Sequence, residues 1–189
     1  MQPTERLFDK DPYMTEFSAT VLCWRKGDGA FFAALDRTAF FPEGGGQFCD
    51  LGTLYNADVL DVQEDESGVI WHKINKPVET GIKVTGRIDW NRRFDFMQQH
   101  SGEHIFSGLA HTHFGATNVG FHLGLESTTI DLDVPLSEEN ISFLEKEANE
   151  AVYKNLPIEI SYPEKDELAL LPYRSKKELS GRVRIVTVP

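Results

Sequence analysis

The sequence predicts an α+β chain, with a β-rich first unit over residues 1–90 and a mixed helix-and-strand unit over 91–189. Three observations carry that expectation. Short β-rich runs punctuated by turn residues continue as far as Ile88. The apolar period then lengthens to the helical spacing after Trp90. Beyond it comes the order helix, strands, helix, strand, strand, which suits layers of helices against small sheets.

In the first unit the β-rich runs are Phe17–Trp24, Ala30–Leu35, Gly52–Leu54, Val59–Gln63, Val69–Ile74 and Lys83–Ile88. Turn signals separate them at Lys26-Gly27-Asp28-Gly29, Glu66-Ser67-Gly68 and Asn75-Lys76-Pro77. Such spacing fits a small barrel or sandwich. Three consecutive glycines at 44–46 suit neither helix nor strand and mark a special loop.

After Trp90, Phe94, Met97, Ile105 and Leu109 form an apolar stripe at helical spacing, with His100, His104 and His111 beside it. Gly115 ends this helix. Two strand-like runs follow, 120–124 and 128–132. Ser137 is placed to cap a second helix, with Glu138 and Glu139 in its first turn. Ile141, Leu144, Ala148 and Val152 share one face of that helix, and Asn155 and Pro157 stop it. The remaining elements are a strand over Ile158–Tyr162, a short helix from Pro163 to Leu170 and a strand over Arg182–Val188.

Composition narrows the class. With 40% hydrophobic and 26% charged residues among 189, the chain can bury a real core. No apolar run is long enough to span a bilayer, and the first residues carry no apolar signal core, so a cytoplasmic location without membrane partners is expected. Cys23 and Cys49 make no disulfide framework. A net charge of −11 argues against nucleic acid covering the whole surface. Two local basic clusters leave room for a phosphate-binding patch: Lys83, Arg87, Arg92 and Arg93, and then Arg174, Lys176, Lys177, Arg182 and Arg184.

The chemistry concentrates in His100-Ser-Gly-Glu-His104. Residues four apart on a helix project from one face, so the two imidazoles can grip one cation. A zinc-type ion there would polarise a carbonyl or activate water. The alternative is a hydrogen-bonded core pair. His-x-x-Glu-His is also the inverzincin peptidase signature, with Glu103 as general base, but the chain is short for a peptidase chamber. Glu103 is therefore expected at the surface or behind the metal ligands.

Read together, three segments resemble one family, the free-standing editing proteins related to the editing domain of alanyl-tRNA synthetase. The segment from Arg37 to Gln47, containing Thr38-Ala-Phe-Phe-Pro-Glu-Gly-Gly-Gly-Gln47, is similar to that family's glycine-rich loop. His100-Ser-Gly-Glu-His104 resembles its His-x-x-x-His helix, and Asn118-Val-Gly-Phe-His-Leu-Gly124 runs into Thr129-Ile-Asp-Leu in the family's manner. Val183–Pro189 resembles the strand leading to the family's Cys-x-x-x-His metal motif.

The resemblance implies an N-terminal β-barrel packed on a zinc-containing α+β editing domain. It implies hydrolysis of the ester joining a wrong amino acid, serine or glycine, to tRNA(Ala). His100 and His104 would be zinc ligands at the catalytic centre, with the remaining Cys and His ligands expected beyond Pro189. A chain lacking those ligands is expected to be C-terminally incomplete, poorly metallated and inactive. Gln47 would point its amide at the misacylated residue or the terminal ribose, and Thr38 is either a substrate contact or an ordinary strand hydroxyl. Gly120, with Gly124, would bring backbone close to the metal and leave a small pocket that His122 helps to line. A pocket for serine or glycine gains selectivity from hydroxyl-specific hydrogen bonds more than from a missing methyl. A non-catalytic tRNA-binding module using the basic clusters is the alternative from another class.

Overall fold

The computed structural model describes residues 1–27, 29–124, 127–171 and 183–189. It divides the chain into two compact units, residues 1–100 with 122–128, and residues 101–121 with 129–189. The division runs between His100 and Ser101.

The first unit is a closed barrel. Its strands are β2 (Glu16–Gly27), β3 (Ala30–Leu35), β5 (Gly52–Leu54), β6 (Ala57–Glu64), β7 (Ile70–Ile74) and β8 (Lys83–Ile88), in the order β2-β3-β7-β6-β5-β8. All the runs expected from the sequence are present, three of them with identical bounds and the others within three residues at their ends. Strand β2 closes the sheet because it is long enough to pair with two neighbours. Its first half pairs with β8 and its second half with β3, and the β2–β3 register shifts at a bulge between Val21 and Cys23. Two short pieces escaped the sequence pattern, β1 (Glu5–Arg6) and β4 (Arg37–Thr38), which pair in parallel. Two residues are too few to show alternation.

Alternation along each strand fills the barrel. Val21, Leu35, Leu54, Val62, Ile70 and Ile74 are buried, and Phe17 meets Phe40 edge to face. Polar groups lie among them as well. His72 on β7 is fully buried and takes the inward position between Ile70 and Ile74. The Ala33 carbonyl, 3.1 Å from Nδ1, can only accept, so Nδ1 carries the ring proton. Nε2 then accepts from the Thr38 hydroxyl at 2.8 Å, whose oxygen in turn accepts from the Phe40 amide at 3.1 Å.

Helix α1 spans Trp90–Phe114 and closes at Gly115, whose φ of +67° suits a residue without a side chain. Its buried positions are Arg93, Phe96, Glu103, Ser107 and Ala110, not the expected stripe; Phe94 is exposed. Hydrophobicity alone misplaced the face, because two of its members are charged groups with buried partners. Strands β9 (Asn118–His122) and β10 (Thr129–Leu132) form a two-stranded sheet.

Helix α2 (Glu138–Tyr153) begins where the cap signals put it. The Ser137 side chain accepts from the Asn140 amide at 3.2 Å, and Asn155 lies just past the helix with φ +49°. Of the face expected to be buried, Leu144 is fully inside, against Ala110 and Ala116, while Ile141 and Val152 are exposed. The later strand and helix expectations appear as β11 (Glu159–Ser161), α3 (Lys165–Leu168) and β12 (Ile185–Thr187), with β11 antiparallel to β12.

Burial holds the His72 pKa down at about 4, against an ordinary value of 6.5. The unfolded chain therefore binds a proton that the folded barrel refuses. The stabilising contribution is complete above pH 6.5 and is lost as pH falls toward 4, by about 3 kcal/mol at full extent. Thermal denaturation between pH 7 and pH 4.5 is expected to lower the melting temperature of the wild type more than that of His72→Gln.

Candidate functional site

The glycine-rich segment is a small hairpin. Gly44 and Gln47 exchange both backbone hydrogen bonds, at 3.1 and 3.0 Å, around Gly45 and Gly46. The φ values of those two glycines, +63° and +84°, match a two-residue turn with positive φ at both centres. The base is closed by Phe41 and Asp50. The Asp50 amide donates to the Phe41 carbonyl at 3.0 Å, and the Phe41 amide donates to Asp50 Oδ2 at 2.6 Å. The segment is thus a built hairpin, and Gln47 is the first residue after its turn.

The arm from Gln47 to Asp50 lies against α1. Arg93 is buried and donates from Nε to both Asp50 oxygens, at 2.8 and 2.9 Å. Its remaining guanidinium donors reach the Pro12 carbonyl at 2.9 Å, the Ala39 carbonyl at 2.6 Å and Asp50 Oδ2 again. Arg92 Nε donates to the Cys49 carbonyl at 3.2 Å. Phe48 packs on the buried Phe96 with ring centroids 5.8 Å apart. At the far end of the arm, Gln47 Oε1 lies 2.9 Å from His100 Nδ1. An amide oxygen only accepts, so Nδ1 carries the proton and the ring lone pair resides on Nε2.

Helix α1 gathers His100, Glu103 and His104, whose ligand atoms all lie within 4.8 Å of one another. The Glu103 carboxylate is buried. One oxygen accepts from Asn118 Nδ2 on β9, and the other lies 3.3 Å from His104 Nδ1. The His104 ring is exposed, with the Glu103 carboxylate near its Nδ1. Two imidazoles with a supporting carboxylate match the ligand preferences of zinc. Glu103 is buried beside the two histidines rather than at the surface. With its oxygens engaged inside the protein it does not present the water-facing base that the peptidase signature needs.

The other sequence candidates fall in different surroundings. Thr38 is fully buried, with its hydroxyl bonded to His72 and Phe40. Gly120 faces Asp131 of β10, and a Cβ at residue 120 would overlap that carboxylate. His122, at the end of β9, is exposed. The basic cluster at 83–93 is largely consumed by internal partners: Arg87 pairs with Glu16 at 2.8 Å, Arg92 holds Cys49, and Arg93 is buried. Of the later cluster only Arg184 falls among the described residues. The Cys49 thiol is pushed up to about 11 by burial, which makes it a poor nucleophile at neutral pH.

Sequence reading missed Arg93 and Asp50. An arginine in a basic run reads as surface, and nothing local announces a partner 43 positions away.

A barrel whose glycine hairpin buttresses a histidine-bearing helix defines a class that can also be tested by comparison. The chain is 36% identical to the alanyl-tRNA editing protein AlaX-M of Saccharolobus solfataricus over 98% of its own length and 82% of that protein. It is 32% identical to the alanyl-tRNA editing protein Aarsd1 of Bos taurus over 95% of the chain, which is 44% of that protein. It is 37% identical to the alanine–tRNA ligase of Ignicoccus hospitalis over 79% of the chain and 17% of the ligase. No protein-family model matches. The chain belongs to the alanyl-tRNA editing proteins. No helix among the described residues is long and apolar enough to cross a membrane.

Replacing Gly120 by Ala is expected to cost about 1–3 kcal/mol through overpacking against Asp131. Chemical denaturation checks this, and adding Asp131→Ala to the same chain is expected to recover most of the loss.

Proposed function

We propose that this protein hydrolyses the ester joining a wrong amino acid, serine or glycine, to tRNA(Ala), at a centre built on His100 and His104. One observation carries the reading: His100, Glu103 and His104 bring their ligand atoms within 4.8 Å of one another, with His100 Nδ1 on Gln47, in a chain related to editing proteins along almost its whole length. A zinc ion on the two Nε2 atoms would supply the positive charge that polarises the ester carbonyl or the attacking water at neutral pH.

The chain's own residues prepare that charge's position. Gln47 keeps the His100 proton on Nδ1. Glu103 faces His104 Nδ1 and joins β9 to α1 through Asn118. The Gly45-Gly46 turn adds no side chains beside Gln47, so the substrate's terminal ribose and small amino acid can approach the backbone there. Thr38 acts from within the barrel, steadying Phe40 at the entry to the hairpin. Gly120 and His122 are proposed to border the amino-acid pocket, and the tRNA is the macromolecular partner.

Full-length protein incubated with seryl-, glycyl- and alanyl-tRNA(Ala) tests the reading. Release of serine or glycine, sparing of alanine, and loss of activity with a chelator or with His104→Ala are expected. Equal inertness toward all three substrates would reject it.

A further inference from the structure

We propose that Arg93 and Asp50 are positioning residues for the hydrolytic centre, acting through the hairpin arm to decide which nitrogen of His100 carries the proton. The proposal rests on the functional reading above, but its primary readout needs neither substrate nor metal.

The geometry is a register between the hairpin's return arm and a helix. Asp50 meets Arg93, Cys49 meets Arg92, Phe48 meets Phe96 and Gln47 meets His100. Arg93 and His100 are seven residues apart, so they lie on one face of α1 and about 10.5 Å apart along its axis. Gln47 and Asp50 are three residues apart, about 10 Å along an extended chain. The two lengths agree, so a polar contact at one end fixes the register at the other.

The contacts at the two ends differ in how firmly they hold. At the Asp50 end, a buried carboxylate takes a forked guanidinium and a backbone amide, and the same guanidinium reaches two carbonyls on different stretches of chain. At the Gln47 end, His100 Nδ1 donates to the oxygen of one amide side chain. Glutamine has three side-chain torsions and by itself holds one position poorly. The anchored end supplies the order that the other end lacks. Lysine in place of Arg93 keeps the charge but cannot fork onto Asp50 while serving both carbonyls.

The test is long-range proton–nitrogen NMR of the His100 ring in metal-free protein at about pH 8.5, where imidazole is neutral. The wild type is expected to show one tautomer, with the proton on Nδ1. Arg93→Lys and Asp50→Asn are expected to show comparable populations of both tautomers. In editing assays with metal supplied they should lose about tenfold or more in kcat, with KM changed less than about twofold. Gln47→Ala should show the same mixed tautomers, and combining it with Arg93→Lys should add little. Removing one partner of a buried pair can unfold a protein, so Arg93→Met with Asp50→Leu, which removes both charges together, carries the same measurement. A folded variant lacking the clamp that keeps the single Nδ1–H tautomer would overturn the proposal. A wild type with the expected tautomer but no deacylase activity would instead reject the functional reading and leave the clamp standing.

Discussion

The buried contact between Arg93 and Asp50 is the constraint on which the candidate site depends. Fixing a guanidinium away from water is costly unless its donors are matched, and here the carboxylate and two backbone carbonyls match them. The three carbonyl and carboxylate partners come from separate stretches: the chain before the barrel, the entry to the hairpin and the hairpin's return arm. One side chain thereby fixes where the helix starts relative to the arm that reaches His100.

The same logic recurs inside the barrel at smaller scale. His72 fills an inward position that an aliphatic residue would otherwise occupy, and it does so without an unpaired polar atom because Ala33 and Thr38 take its two ring nitrogens. Thr38 then passes the arrangement to Phe40, one residue before the base of the hairpin. The hairpin is thus tied to the barrel at its entry and to the helix at its exit. A glycine-rich stretch held in this way is ordered by its flanks; the glycines serve the turn and do not make the arm loose.

Much of this was legible in the sequence because it is written in local periods. The barrel strands follow from alternation and turn residues, and the Ser137 cap and Gly115 end follow from side-chain chemistry at helix termini. The histidine pair was readable because four-residue spacing is itself geometry. What local pattern could not give was long-range pairing. The buried face of α1 was misjudged because Arg93 and Glu103 sit inside with Asp50 and Asn118, and hydrophobicity places such residues outside. Thr38 was grouped with Gln47 because they share a motif, yet the threonine is buried against His72 while the glutamine meets the helix at His100.

The central claim is that the arm presents Nε2 of His100, together with Nε2 of His104, to a divalent cation. A crystal structure of the full-length protein soaked in zinc measures this most directly. The account predicts zinc at about 2.0–2.1 Å from both Nε2 atoms, with Gln47 Oε1 still on Nδ1 of His100. Zinc bound through Nδ1 of His100 with Gln47 displaced, or zinc bound elsewhere while both rings remain as they are, would contradict it.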